Sequence, residues 1–549
     1  MNSKTITNTR IGISIICIIA FFPVFNSGFV NYDDPEYILN NHYIKHFSIE
    51  NIKYIFLSKT TDLYVPLTVF SYLIEHSLFG GNPKAFHSIN LLLHIINTLL
   101  LLQILLKLNI KHHYLIYFIL LFFSLNPLVT ESVCWITERK DVLYCFFYFL
   151  SIIQFINYTK KQHLKYICLS FVFFMLSCLS KPMAVSLPAL FSIYLIYTTQ
   201  KIDYKKHIIL IPFYLCSVLF SVISVFAIKN LGEAKVYINT YNLSEKFMML
   251  VSELGYYFVK PFIPFNQSLF HLFPKKTELL QNSSILIYAI LFLIILCSIY
   301  YFTIKKGNKL IGFLFFSWII FLVPILQIYV NTHSYVSERY FYVSIVFPVM
   351  IIFVMIQHLK ISNQSYQISF ILLLITFTTL TFKRSKIWTN TLTLFEQEIK
   401  LNPENHIALN NLGYYYNTKE NYKKAMPYLQ QAVAIEKDNS LYLNNYGWAL
   451  SRSGQMDSAI IYLERSLSIN AKYVDALSNI GICYIQKKQR EKALPYFKKA
   501  YELSPNNPDV LCNLGIYYFN SGMKAEALPL LQKAEKFGNK KATKYLLKM

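Results

Sequence analysis

Long apolar runs separated by short polar loops fill the first part of the chain, and a regularly repeating pattern fills the remainder. A stretch of about 17–25 mostly apolar residues is long enough to cross a bilayer as a helix. Eleven apolar stretches, several of them shorter than this, precede residue 385, which predicts a polytopic α-helical membrane domain over residues 1–385. They lie near residues 9–26, 86–106, 114–126, 141–157, 166–180, 182–198, 208–228, 285–304, 310–328, 340–358 and 366–382.

Residues 386–549 carry small residues at a spacing of 34. The positions are Gly413, Gly447, Gly481 and Gly515, with Ala425, Ala459, Ala493 and Ala527 following at a constant distance. This spacing is the signature of the tetratricopeptide repeat, a pair of helices that stacks into an α-solenoid. The full repeats are predicted at 406–439, 440–473, 474–507 and 508–541, and a large apolar residue in each is expected to fill the space between repeats. The predicted fold is therefore all-α.

Asparagines recur on the first helix of each repeat, the helix that lines the concave face of such a solenoid. An asparagine amide on that face can pair with the backbone of an extended peptide, which would make the groove a binding site for an acceptor protein. The alternative is that these side chains are solvated polar groups of a helix surface. The residues concerned are Asn411, Asn445, Asn479 and Asn513.

The chain is basic, with 52 Lys and Arg against 29 Asp and Glu, and it has nine cysteines. The basic residues are scattered, and no dense basic patch with interleaved aromatic residues is found, so we expect no nucleic-acid partner. Membrane lipid is the expected counterpart of this charge. The cysteines show no CxxC spacing, which argues against a disulfide scaffold or a zinc site.

Lysines are concentrated in alternate short loops, which by the positive-inside rule places those loops in the cytoplasm. The opposite, outer face then receives the longer loops and, with an odd number of spans, the repeats. Residues 247–263 could span, but they contain Glu253 and Lys260, so we favour an amphipathic helix in the outer interface. The predicted outer loops are 27–85, 127–140, 229–283 and 329–339.

Two adjacent carboxylates, Asp33 and Asp34, follow the first apolar run. The order Asp34-Pro35-Glu36 is typical of a helix start, with the aspartate as its cap. Asp33 is left without a structural task and is a candidate general base. His87 lies seven residues before His94. Because a metal pair prefers closer spacing, we favour packed or capping histidines.

Charged residues of both signs recur at the predicted outer boundary of several spans. The basic ones could converge there and would suit a phosphate group. The alternative is that each side chain only anchors its helix at the interface. The residues are Arg139, Lys140, Lys181 and Arg339, accompanied by Glu138 and Glu338. No nucleotide-binding loop, dinucleotide fingerprint or hydrolase motif is found, which argues against a nucleotide-driven pump or a cofactor enzyme.

The chain contains a set of short motifs that precede the repeats. In order, they are NYDDPEYI, YVPLT, GGNPKAFHSINLLLH, NPLVTESVCWITERKDVL, SKPMAVSLPALF and SERYFY. This ordered set resembles the transmembrane and tetratricopeptide-repeat O-mannosyltransferases and their bacterial relatives, which belong to the GT-C superfamily of membrane glycosyltransferases. The resemblance covers essentially the whole chain. Many bacterial relatives have Trp-His-Pro-Leu-Thr where this chain has Tyr64-Val65-Pro66-Leu67-Thr68, so a substrate contact by that histidine would be absent.

The resemblance implies an inverting transfer of a sugar from a polyprenyl-phosphate carrier to a Ser or Thr hydroxyl of a protein on the outer face. Asp33 or Asp34 would be the base or would help to bind a divalent cation, and Asp33 is preferred. The leaving lipid phosphate would be neutralised by the four basic residues, with Glu138, Glu338 and His87 in support. The repeats would capture the acceptor protein. The list of basic residues is Arg139, Lys140, Lys181 and Arg339.

The sequence thus predicts a membrane glycosyltransferase that uses a lipid-linked sugar, mannose being the extrapolated sugar. The alternative from another class is a non-catalytic membrane scaffold whose repeats assemble envelope proteins. A cavity that gathers the acidic and basic residues favours the enzyme, whereas dispersed side chains favour the scaffold. The Lys-, Asn- and Ile-rich composition suggests a bacterial inner membrane with periplasmic repeats, or an endoplasmic reticulum membrane with lumenal repeats if the chain is eukaryotic.

Overall fold

A computed structural model describes residues 2–57, 63–110, 112–227, 241–274, 276–326, 334–357, 359 and 361–549. The parts of the predicted outer loops at residues 229–240 and 329–333 lie outside these ranges. The chain forms two compact units, Met1–Leu394 and Phe395–Met549. The described elements are helices, apart from a two-stranded antiparallel sheet of β1 (His271–Leu272) and β2 (Ser334–Val336), so the predicted all-helical fold is confirmed.

The first unit contains seventeen α-helices in the described ranges. They are α1 (Ser3–Ala20), α2 (Ile49–Leu57), α3 (Pro66–Phe79), α4 (Pro83–Lys107), α5 (His113–Leu125), α6 (Thr130–Cys134), α7 (Arg139–Lys161), α8 (Leu164–Ser180), α9 (Leu187–Thr199), α10 (Tyr204–Ile208), α11 (Ile211–Ala227), α12 (Leu243–Val259), α13 (Ser283–Tyr300), α14 (Lys309–Leu322), α15 (Phe341–Ser344), α16 (Val346–Ile356) and α17 (Asn363–Ile387). Short 3-10 segments lie at Phe22–Asn26, His42–Ile44, Pro127–Val129, Ile136–Glu138, Pro182–Ser186, Lys260–Phe262, Lys276–Gln281, Val323–Ile325 and Glu338–Tyr340, and π-helical segments at Pro35–Leu39 and Tyr301–Lys305.

Five of the described helical segments are long and apolar enough to cross a membrane, or up to seven if each bent pair is counted as one span. Three shorter apolar helices coincide with further predicted spans. The first predicted span and the segment at 247–263 are helical but are not among these candidates in the described ranges. The five are Pro83–Lys107, Ile136–Lys161, Pro182–Thr199, Ser283–Lys305 and Asn363–Ile387; the bent pairs are His113–Leu125 with Pro127–Cys134 and Glu338–Ser344 with Val346–Ile356.

Helix α4 illustrates how the sequence orients a membrane helix. It begins with Asn82, whose side chain accepts a hydrogen bond from the backbone of Lys84 at 3.1 Å, and Pro83 occupies the first turn. Further along, a stripe of buried polar residues recurs every three or four positions. Because polar groups avoid lipid, this stripe faces neighbouring helices rather than hydrocarbon. Its members are His87, Asn90, His94 and Asn97.

Helices α12 and α13 pack against each other through a close backbone approach at Gly255. A Cβ atom at this position would lie 2.0 Å from the carbonyl oxygen of Tyr288. Only glycine therefore allows the two helices to come this close, which fixes the wall of the cavity described below.

The second unit is a stack of helix pairs. After α18 (Thr391–Leu401) these are α19 (His406–Thr418) and α20 (Tyr422–Ile435), α21 (Ser440–Arg452) and α22 (Met456–Ile469), α23 (Val474–Gln486) and α24 (Arg490–Leu503), and α25 (Pro508–Asn520) and α26 (Lys524–Lys536), followed by α27 (Lys540–Leu546). The large residue of each repeat packs against the glycine of its own repeat, and Leu429 and Leu463 also belong to a core cluster that extends over several repeats. A Cβ atom on Gly413 would lie 2.5 Å from Leu429, and one on Gly481 would lie 2.5 Å from Phe497.

Candidate active site

The first turn of α7 places three consecutive charged side chains in three different surroundings. Successive residues of a helix point about 100° apart, so neighbours in sequence face different partners. Arg139 is fully buried and points toward α3 and α4. It forms a bidentate pair with Glu75, donates to Asn90, and donates to the carbonyl of Phe86 at 2.8 Å.

These contacts assign Arg139 to the packing of three helices. Its guanidinium also lies 5.4 Å from the ring centre of Tyr72. The sequence placed Arg139 with the residues that would bind a lipid phosphate, and the structure does not bring it to them. The reason is that a buried arginine needs its own carboxylate, and Glu75 supplies it.

Lys140 points to the opposite side, toward the acidic pair. Its Nζ lies 3.1 Å from Oε1 of Glu138 and 3.8 Å from Oδ2 of Asp33. The ammonium also lies over the rings of Tyr37 and Trp135, at 5.4 and 5.8 Å from their centres. Lys140 thus joins the loop that carries Asp33 to the start of α7.

Glu138 is the centre of the charged group. It is fully buried and faces Lys140, Lys181 at 3.6 Å and Arg339 at 4.0 Å. Lys181 also pairs with Asp141, which accepts a hydrogen bond from Ser132 at 3.0 Å, and Arg339 lies 3.5 Å from Glu131. These residues are named the Glu138 cluster: Asp33, Glu131, Glu138, Lys140, Asp141, Lys181 and Arg339.

Most of the Glu138 cluster is shut off from solvent. The side chains of Asp33 and Arg339 are the exceptions, with exposed fractions of 32% and 22%. The two partly exposed groups of the cluster are therefore a carboxylate and a guanidinium. The buried members hold these two groups in place, because three cations and four carboxylates compensate one another in a site of low dielectric.

Asp33 and Asp34 have different surroundings although they are adjacent. Asp34 is fully buried, and its carboxylate accepts hydrogen bonds from the backbone of Val30 at 2.8 Å and from the indole of Trp135 at 3.1 Å. It does not cap the helical turn that begins at Pro35, contrary to the prediction. Its carboxylate turns back instead, because the loop needs an acceptor for Val30 and Trp135. Asp34 therefore supports the loop, and Asp33 presents its carboxylate.

Burial changes the acidity of both carboxyl groups. It raises the pKa of Asp33 above the ordinary range, and the Lys140 ammonium partly opposes this rise. Burial raises the pKa of Asp34 to about 7, against the hydrogen bond from Val30. A carboxylate with a raised pKa is a stronger base, so Asp33 is better suited to accept a proton than an ordinary surface aspartate.

His87 and Glu338 lie near the Glu138 cluster without joining it. His87 is buried, and its Nε2 lies 3.1 Å from the carbonyl oxygen of Gly28, so it fixes the chain that leads to Asp33. Glu338 accepts a hydrogen bond from the backbone of Ser268 at 3.0 Å and lies 4.0 Å from the guanidinium of Arg384. The structure therefore gives His87 a packing role and places Glu338 in a second set of charges.

The sequence interpretation missed the members of this second set as site residues. Lys260 and His271 line a cavity beside Glu338, and Arg384 lies behind it. No local motif marks them. One signal was available, because Lys260 stands in the largely apolar segment 247–263, and an ionisable residue in such a segment often marks a functional site.

The sequence does not decide whether the protein binds a metal ion. Within the ranges that the structure describes, no group of three or more His, Cys, Asp or Glu side chains is arranged to hold a metal ion. Asp33 and Asp34 have no third ligand of these types beside them there. A requirement for a divalent cation stays an untested prediction.

Family models of the tetratricopeptide repeat match residues 407–439, 441–473, 474–507 and 496–528. The matches coincide with the helix pairs of the second unit. Residues 407–528 therefore consist of tetratricopeptide repeats. Among solved structures, the chain is similar to a crystal structure of MamA, which is 22% identical, with a TM-score of 0.25, covering 29% of this chain and 94% of that one. Another, YrrB, is 23% identical, with a TM-score of 0.24, covering 36% and 97%.

Among curated proteins the chain is similar to the protein O-mannosyl-transferase TMTC1 of Homo sapiens, with 35% identity over 98 residues. It is also similar to the protein O-mannosyl-transferase TMTC2 of Homo sapiens, with 31% identity over 99 residues. Each match lies in the tetratricopeptide repeats and covers 18% of this chain, but only 11% and 12% of the relatives. The family resemblance seen in the sequence is confirmed over the repeats, and the apolar helices indicate a membrane protein.

The tetratricopeptide repeats use their asparagines largely among themselves. Asn445 is buried and donates to Asn410 of the preceding repeat at 3.0 Å, and Asn479 donates to Asn444 at the same distance. Asn411 donates to the carbonyl of Ile407 in its own helix, and Asn513 is half-buried. The amides of Asn445 and Asn479 therefore join neighbouring repeats, which weakens the prediction that this set binds an acceptor.

Proposed function

We propose that this protein is a membrane glycosyltransferase that moves a sugar from a polyprenyl-phosphate carrier to a hydroxyl group, with Asp33 as the general base. The observation that carries the proposal is the partly exposed Asp33 carboxylate at the edge of the otherwise buried Glu138 cluster. The names of the curated relatives support the same reaction class. A scaffold predicts dispersed charges, whereas Asp33, Lys181 and Arg339 lie in one cluster.

In the proposed reaction the Asp33 carboxylate takes the proton of the acceptor hydroxyl while its oxygen attacks the anomeric carbon. The bond between that carbon and the phosphate oxygen breaks, and the polyprenyl phosphate leaves with the electron pair. Arg339 is the partly exposed cation of the cluster, and fixed cations of this kind stabilise developing negative charge. The Lys140 ammonium favours the ionised form of Asp33 and so partly offsets the effect of burial on its pKa.

The acceptor is proposed to be a Ser or Thr side chain of a protein, captured through the repeats, and the sugar to be mannose as in the names of the relatives. Tetratricopeptide repeats support a protein partner in general terms. The proposed location is a bacterial inner membrane with periplasmic repeats. In a eukaryotic cell the equivalent is the endoplasmic reticulum membrane with lumenal repeats.

The test is transfer of labelled mannose, and then of other hexoses, from polyprenyl phosphate in membranes that contain the full chain. Asp33→Asn is expected to lower incorporation by about 100-fold or more, the usual contribution of a general base. Asp203→Asn is the matched control, since this aspartate pairs with Lys206 outside the cluster. The proposal would be wrong if Asp33→Asn incorporated sugar at the wild-type rate. It would also be wrong if neither wild type nor any variant incorporated sugar from any of these donors.

A further inference from the structure

Beside Glu338 lies a cavity of about 480 Å³, within the range of ligand-binding sites. Its walls are aromatic and polar: they include Tyr256, Tyr288 and Tyr335 together with Lys260 and His271. The close approach of α12 and α13 at Gly255 holds two of these tyrosines together, with ring centres 5.3 Å apart. This cavity is named the Lys260 pocket.

Lys260 is the exceptional group in this pocket. Its exposed fraction is 7%, and its ammonium donates to the carbonyl of Phe265 at 2.7 Å. It also lies 5.6 Å from the ring centre of Tyr256. Among the described residues no carboxylate lies within 4 Å of it. An ammonium can donate three hydrogen bonds, so this buried cation lacks the partners that normally offset its loss of water.

The charges around the Lys260 pocket differ from those of the Glu138 cluster. Glu338 is the carboxylate that attracts Lys260, and it is shared with Arg384 and lies 3.8 Å from Nε2 of His271. The Glu138 cluster has four carboxylates for three cations. The phosphate site expected from the sequence therefore has its cations already compensated, while the Lys260 pocket retains a cation without a paired anion.

The pocket lies at the end of a candidate span. Asn282, Ser284 and Tyr288 of its wall belong to the cap and first two turns of α13, which begins the apolar segment Ser283–Lys305. The end of a membrane span is where lipid headgroups are expected, and the positive end of the α13 dipole lies at this pocket. Ile263 and Phe265 at the pocket have exposed fractions of 55% and 54%, which gives it an apolar rim.

We infer that the Lys260 pocket binds the phosphate group of an amphiphilic lipid, with the lipid chain leaving over Ile263 and Phe265. Lys260 donates to the phosphate oxygens, His271 adds a second donor, and the tyrosines shape the cavity. The inference rests on the proposed function in one respect: it assigns the donor phosphate of that reaction to this pocket instead of to Arg139, Lys140 and Lys181.

The test measures retention of undecaprenyl phosphate by the purified full chain in detergent, using native mass spectrometry. Lys260→Gln is expected to weaken binding by about tenfold or more, because a charge-assisted hydrogen bond is lost, and His271→Gln by less. Lys260→Arg is expected to retain most of the binding. Lys276→Gln is the matched control, since this exposed lysine lies in the same loop and pairs with Glu245.

Further measurements distinguish binding of a lipid phosphate from binding of free phosphate or of the lipid chain alone. Undecaprenol, which lacks the phosphate, should bind wild type and Lys260→Gln equally weakly. Inorganic phosphate should compete poorly, and Phe265→Ser should lower retention of the lipid phosphate alone. Wild-type retention by both Lys260→Gln and His271→Gln would overturn the inference, as would equal binding of free phosphate and lipid phosphate.

The Asp33→Asn variant separates the inference from the proposed function. It should bind the lipid phosphate like wild type and fail to transfer sugar. If wild type binds through Lys260 but transfers nothing, the proposed function fails and the pocket remains. If transfer depends on Asp33 while Lys260→Gln binds and transfers normally, the pocket assignment fails and the function remains.

Discussion

The Glu138 cluster and the Lys260 pocket contain similar residue types and differ in how the charges are compensated. In the first, four carboxylates surround three cations, and Asp33 and Arg339 reach the surface. In the second, a buried lysine faces a cavity, and its attractive carboxylate is shared with other basic groups. The first arrangement suits proton transfer, and the second suits an incoming anion. A count of basic residues at a membrane boundary cannot distinguish these cases.

The largest expected effect concerns a cation that belongs to neither site. Arg139→Met should lower the free energy of unfolding by about 3–5 kcal/mol, because Glu75 would be left buried without its partner. Lys140→Met, one residue away, should cost about 1–2 kcal/mol, since Glu138 still faces Lys181 and Arg339. Denaturant titration of the full chain in mixed micelles measures both.

The double variant Glu75→Gln with Arg139→Met serves as the control for this pair. It removes both charges and should recover part of the lost stability. If Arg139→Met is no less stable than Lys140→Met, then Arg139 is not the structural residue described above, and its exclusion from phosphate binding is wrong.

A smaller effect is expected when the Lys260 pocket is made still more positive. Glu338→Gln removes the carboxylate charge and keeps an oxygen that can accept from Ser268. Binding of undecaprenyl phosphate should then tighten by roughly two- to fivefold, because less negative charge opposes the phosphate. Native mass spectrometry at fixed ionic strength measures the change.

Glu245→Gln is the matched comparison, since Glu245 caps α12 and pairs with Lys276 away from the pocket. It should leave lipid binding unaltered. Weaker binding in Glu338→Gln would show that Glu338 orients a donor to the phosphate, which contradicts a purely electrostatic effect.

The smallest expected effect is a pH dependence that distinguishes the two adjacent aspartates. Burial raises the pKa of Asp34 to about 7, well above that of an unfolded aspartate. Between these values the folded chain holds the proton more tightly, so the contribution of Asp34 to stability is present at acid pH and is lost as the pH rises through about 7. The melting temperature of wild type should fall between pH 5 and pH 8 by more than that of Asp34→Asn.

Asp203→Asn should change with pH as wild type does, which separates Asp34 from the general titration of surface carboxylates. An identical pH response of wild type and Asp34→Asn would contradict the raised pKa and the burial argument on which it stands.

The repeat array could be predicted in detail because its information is local and periodic. Gly413, Gly447 and Gly481 recur at the spacing of one repeat, and each leaves room for one large side chain of the facing helix. The apolar helices could also be predicted from the sequence, because the thickness of the bilayer sets their length. The number of spans cannot be predicted in the same way, because short and bent helices have the same apolar pattern as long straight ones.

The candidate site could be predicted in part. The sequence predicted a helix cap for Asp34, and this was wrong, since Asp34 holds Val30 and Trp135 instead. The preference for Asp33 as the base stays a prediction. Arg139 and Lys140 cannot be told apart in sequence, because their directions depend on which helix packs on which face. His271 and Lys260 come together only through the packing of α12 against α13 and the sheet, which no spacing reveals.

Glu138 holds three cations with one carboxylate, so a change in one member of its cluster affects the others. Removing any one charge alters the balance felt by all the others, and paired substitutions should not add. Over evolutionary time such a group is expected to drift by compensated exchanges, acid with base, while the apolar faces around it vary independently.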